Sequence, residues 1–97
     1  PFVDELDALT EEFRIELNAL GAQARSHKRL DVDTMKQLIN ELCKGHYISV
    51  SVLEVLLDRK AQSIRQNYLK HMISEGGVEM AFPHKPNSPQ QGYTTVE

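Results

Sequence analysis

Between Asp31 and Gly77 the chain packs three apolar stripes of helical spacing into fewer than fifty residues, each closed by a glycine or a short charged turn. That punctuation constrains the fold more than any other feature, because helices this short must bury their faces against one another. Met35, Leu38, Ile39, Leu42 and Cys43 form the first stripe, with Asp31 and Asp33 as candidate caps and Gly45 as the stop. Val52, Leu53, Val55, Leu56 and Leu57 form the second. Ser49 caps it, or Ser51 does so in a capping box with Glu54. Asp58, Arg59 and Lys60 make the turn, and a third helix is expected from Ala61 to Ser74, ended by Gly76 and Gly77. Beyond it Val78, Met80 and Phe82 alternate with Glu79 and Ala81, and Tyr93 to Val96 is a second β-prone run. The intervening His84 to Gln91, with Pro86 and Pro89, reads as the loop of a β-hairpin. Helix, short link, helix, turn, helix and hairpin is the order of a winged helix-turn-helix, mainly α with a small β-hairpin.

Ahead of these elements, Phe2, Leu6, Leu9, Phe13, Leu17 and Leu20 recur at steps of three and four, which predicts an extra amphipathic N-terminal helix ending at Gly21. Ala22 to Leu30 then reads as a basic connector. The expected organisation is residues 1–32 as helix and linker, and residues 33–97 as the winged-helix domain. Spacing close to a heptad makes packing on its own domain and pairing with a second copy, a homodimer through residues 2–20, equally open.

Charge distinguishes one segment. The chain as a whole has a formal net charge of -3, yet residues 59–74 contain Arg59, Lys60, Arg65 and Lys70 and no acid. On a regular helix of about 100° per residue, Ser63, Gln66, Asn67, Lys70 and His71 share a polar arc, with Gln62 near its start. Gln and Asn side chains can pair with adenine edges, and Lys with guanine or phosphate. Ile64, Tyr68, Leu69, Met72 and Ile73 face the core. Arg65 falls on the apolar flank near Leu69, where its stem can run outward along the surface. Lys85, flanked by His84 and Asn87, sits in the expected wing, where a cation meets phosphate or the minor groove. The candidate DNA contacts are therefore Arg59, Lys60, Gln62, Ser63, Arg65, Gln66, Asn67, Lys70 and Lys85. Arg25, Lys28 and Arg29 form a second basic cluster, read as a solvated linker or a DNA arm.

Other chemistry finds no foothold. His27, His46, His71, His84 and Cys43 have no zinc-finger spacing, and the lone Cys43 is read as a buried thiol, so neither metal nor cofactor is expected. No phosphate loop, nucleophile elbow or HExxH motif occurs, and no small-molecule substrate is indicated. No apolar run approaches a bilayer span, so no membrane partner and a cytoplasmic setting are expected. The chain opens at Pro1 without Met or signal-peptide pattern, which reads as a piece of a longer protein.

From about residue 33 to 95 the chain resembles the C-terminal winged-helix domain of bacterial and archaeal transcriptional regulators related to the ATP-dependent DNA helicase RecG. The resemblance is carried by Leu42-Cys43-Lys44-Gly45-His46-Tyr47-Ile48-Ser49, Leu56-Leu57-Asp58-Arg59, Ile64-Arg65 with Tyr68-Leu69, and Phe82-Pro83-His84-Lys85-Pro86-Asn87 with Gln91 and Tyr93. It implies a duplex-DNA-binding module at the end of a longer regulator whose other parts are similar to Schlafen-AlbA-type and ATPase-like domains, with no enzymatic activity in this segment. The alternative is a winged-helix module for protein contacts or dimerisation. Where that family has Ser then Pro, this chain has Lys60 and Ala61, so the third helix lacks its usual cap and its first turn is expected to fray.

Overall fold

Side-chain oxygens open three helices. In the computed structural model, which describes residues 2–97, Thr10 Oγ1 accepts from the Phe13 amide at 3.3 Å, Asp31 Oδ2 from the Thr34 amide at 3.1 Å, and Ser49 Oγ from the Val52 amide at 3.2 Å. Each such cap contributes about 1 kcal/mol. They begin α1 (Glu11–Ser26), α2 (Val32–Leu42) and α3 (Val50–Leu57). The choice between the two serines falls to Ser49, whose hydroxyl also lies 2.9 Å from that of Ser51. Asp31 rather than Asp33 caps α2, and the two bonds from Thr34 to its carboxylate hold its pKa below the usual range.

The N-terminal segment departs from the expected helix. Phe2–Val3 is a strand, β1, and Leu6–Ala8 a single 3-10 turn, so α1 starts only at Glu11, where Thr10 supplies a cap and Glu11 and Glu12 complement the helix N-terminus. Nor does Gly21 end α1, which runs through it to Ser26. At Gly21 the helix lies so close to the end of α3 that an added Cβ would stand 2.5 Å from the Leu56 carbonyl oxygen. The glycine permits a close helix approach, and α1 has its own partner in α3.

The third helix is continuous but not regular. α4 (Ala61–Ile64) passes through a π turn at Arg65–Leu69 into α5 (Lys70–Ser74), and the Lys70 amide donates to the Arg65 carbonyl five residues back. The π turn matches the burial pattern: Ile64 and Leu69, five apart, are both buried, whereas Tyr68, the regular-helix partner of Ile64, is only half-buried.

Among the described residues four short strands complete the fold in the order β1-β2-β4-β3, with β2 at Tyr47–Ser49, β3 at Val78–Met80 and β4 at Gly92–Thr95. β1 pairs in parallel with β2, while β2 and β3 flank β4 antiparallel, placing Ile48 and Met80 on either side of Tyr93. The hairpin thus forms as expected, and β1 is the addition. Val3, Leu17 and Ala24 share one core cluster with Met35, Ile39, Leu42, Leu53, Leu56, Ile64 and Leu69, so that core crosses residue 32. Leu6, Leu9, Phe13 and Leu20 pack against it half-buried, which uses most of the N-terminal apolar stripe within the chain and leaves Ile15 exposed.

Candidate nucleic-acid interface

The helix that presents the candidate reading face has no cap of its own, since Lys60 at the N-cap position makes no side-chain hydrogen bond. Glu54 replaces it. From one turn back in α3 its Oε2 accepts from the Ala61 amide at 2.8 Å, across the turn Asp58–Lys60. The capping box of Ser51 with Glu54, one of the two alternatives, is therefore not formed, and the departure at Lys60 and Ala61 is compensated by a carboxylate placed at a helix N-terminus. Glu54→Ala is expected to cost about 1 kcal/mol and to speed hydrogen exchange of the first amides of α4. Unchanged exchange there would show that the carboxylate does not hold this turn.

Within the turn, Asp58 takes a left-handed conformation, with φ of 52°, and Arg59 is drawn inward. The Arg59 guanidinium donates to the carbonyls of Ala24, Leu57 and Asp58 at 3.0–3.1 Å and to that of His27 at 2.6 Å. It thereby joins the C-terminal ends of α1 and α3, where unpaired carbonyls concentrate negative charge. Arg25 is similarly committed, donating to the Leu56 carbonyl at 2.8 Å. Lys28 and Arg29 remain exposed.

Along the 61–74 helix, Gln62, Gln66, Asn67, Lys70 and His71 are exposed and Ser63 is half-buried. Lys60 is exposed beside them, and Lys85 lies exposed in the wing with His84 and Asn87. Arg65 differs from all of these. It is half-buried, and its Nε is fully buried with no hydrogen-bond partner among the described residues. Beside it stands the Tyr93 hydroxyl, whose pKa is raised by burial, an effect that the neighbouring guanidinium opposes.

Gln91 builds the wing. It is completely buried: its Oε1 accepts from the Phe82 amide at 2.8 Å and the Gly92 amide at 3.2 Å, while its Nε2 donates to the carbonyls of Phe82 at 2.7 Å and Lys85 at 2.9 Å. Successive backbone turns, Lys85 to Phe82, Ser88 to Lys85 and Gln91 to Ser88, fold the rest of the loop around that side chain. Between helix and wing lies a cavity of about 400 Å³, lined by Arg65, Gln66, Leu69, Lys70, Ile73, Met80, Pro86, Asn87 and Tyr93. Sequence reading assigned Arg65, Gln66 and Lys70 but missed Tyr93, Met80 and Pro86, whose convergence depends on how the hairpin folds back.

Elsewhere the chemistry is quiet. Burial pushes the Cys43 thiol up to about 12, far from a reactive thiolate. His46 bonds the Leu42 carbonyl and stacks edge-on against Phe13, and burial lowers its pKa. Among the described residues no three His, Cys, Asp or Glu side chains gather as metal ligands would, and no helix is long and apolar enough to cross a membrane.

Three helices in helix-turn-helix order, backed by a sheet whose last two strands carry a wing, define a winged-helix-like domain with an additional helix in its core. The chain belongs to the family described as filamentation induced by cAMP protein Fic-like, C-terminal domain, whose model matches residues 33–95. The match establishes the kind of domain expected from the wing motif and lends no support to a relation with the RecG-associated regulators. No curated protein and no solved structure matches the chain.

Proposed function

We propose that this domain binds duplex DNA as the non-enzymatic module of a larger cytoplasmic protein that regulates transcription. The 61–74 helix enters the major groove and the 84–91 wing lies on the backbone. The observation that carries this reading is the exposure of Gln62, Gln66, Asn67 and Lys70 on a helix without a single acid, directly across a groove from the Asn87 side of the wing. Gln66 and Asn67 supply base-edge hydrogen bonds, and Lys60, Lys70 and Lys85 supply phosphate contacts. Arg59 contributes through the turn it fixes, because its guanidinium is already bonded to carbonyls.

Fluorescence anisotropy with a random duplex at two salt concentrations tests this. Affinity should be measurable at low salt and fall as salt rises. Lys70→Glu is expected to weaken binding and reduce the salt slope by about one, whereas Glu12→Lys, on α1, should have the smaller effect. No binding at low salt, or the reverse order of the two variants, would remove the assignment.

A further inference from the structure

The groove between helix and wing has a composition that DNA alone does not explain. Leu69, Ile73, Met80, Pro86 and the Tyr93 ring make much of it apolar, and a backbone phosphate gains nothing from such a surface. Its charged lining is Arg65 and Lys70, with no acid. Arg65 is half-buried there, with its guanidinium beside the Tyr93 hydroxyl and its Nε enclosed without a hydrogen-bond partner among the described residues. Two cations in the lining of an otherwise largely apolar cavity of ligand size fit a molecule with one anionic head and a hydrocarbon body.

We infer that this groove is a binding site for a small amphipathic carboxylate, whose head is taken by Arg65 with Lys70 and whose chain lies against Leu69, Ile73 and Met80. The π turn serves the site by carrying Leu69 into the core while Arg65 stays at the groove. Gln66 and Lys70 line the groove and also belong to the proposed DNA face, so the ligand and the duplex compete. This last point rests on the DNA reading; the binding of the carboxylate does not.

Octanoate is the probe, with octanol as the chain without a charge and acetate as the charge without a chain. In ¹⁵N NMR titrations of the 97-residue chain, octanoate should shift the Arg65 Nε–H resonance saturably, and both controls should leave it nearly still. Arg65→Met should weaken octanoate binding by about tenfold or more, the size of a charged hydrogen bond. Met80→Glu, a change on a half-exposed strand residue that places a carboxylate at the groove, should abolish it with the fold retained. An equal shift with octanol, no shift with octanoate, or unaltered binding in Met80→Glu would overturn the site. Octanoate should also lower duplex affinity. If octanoate binds and duplex affinity is unmoved, the competition is wrong; if no duplex binds at all, the DNA reading fails while the titration still decides the site.

Discussion

Replacing Gly21 with alanine is expected to lower the stability of the domain by about 2 kcal/mol, against the usual trend for helices. In the interior of a helix, Gly→Ala ordinarily stabilises by about 1 kcal/mol. Here the new methyl would sit 2.5 Å from the Leu56 carbonyl oxygen and 2.9 Å from the Arg25 side chain. The carbonyl belongs to backbone near the end of α3 and is already bonded by Arg25, so relief requires α1 and α3 to separate. Overpacking of this kind costs about 1–3 kcal/mol, and the lost Arg25 bond adds to it. Urea unfolding followed by circular dichroism measures the difference. A neutral or stabilised Gly21→Ala would mean that the helices do not approach as closely as described.

The second large effect is expected at Gln91. Gln91→Leu preserves most of the buried volume but removes both donors and the acceptor that hold the Phe82 and Gly92 amides and the Phe82 and Lys85 carbonyls. Those groups then lack partners or must find water, at a cost of about 3 kcal/mol. Most of that loss is local, since the three helices make no hydrogen bond to Gln91. Exchange protection should therefore collapse from Ala81 through Gly92 while the amides of α2 and α3 stay protected. Duplex affinity should fall with it, because Lys85 and Asn87 lose a fixed position. If the loop keeps its protection in Gln91→Leu, the side chain is not its organising element.

Gln91 also illustrates what the sequence could and could not disclose. The order of elements from Asp31 to Val96 followed from apolar spacing and from Gly45, Gly76 and the wing prolines, because those signals are local. A glutamine that organises a loop by folding inward has the same local appearance as one that faces water. Phe2–Val3 was hidden for the same reason. Two residues carry no alternation, and what makes them a strand is β2 lying alongside, 45 residues downstream. Among the candidate site residues, the exposed set of Gln62, Gln66, Asn67 and Lys70 was legible from helical geometry. The fate of the arginines was not. Charge counting treats Arg59 and Arg65 as equivalent to Lys70, yet Arg59 is bonded to four carbonyls and Arg65 has a buried Nε. Distinguishing them needs the ends of α1 and α3 for the first and the fold of the wing for the second. The missing cap at Lys60 was visible, whereas its replacement, Glu54, lay seven residues before the Ala61 amide that it caps.

The π turn has a consequence for deletions in this helix. Between Ile64 and Leu69 the chain uses five residues where a regular helix would bring one buried side chain above another with four. A chain shorter by one residue at Gln66 or Asn67 can close the turn into regular helix and still direct Ile64 and Met72 inward. Loss of one residue, elsewhere ruinous inside a packed helix, would thus be absorbed at the exposed stretch beside Arg65, changing the number of side chains offered there while the core keeps its register.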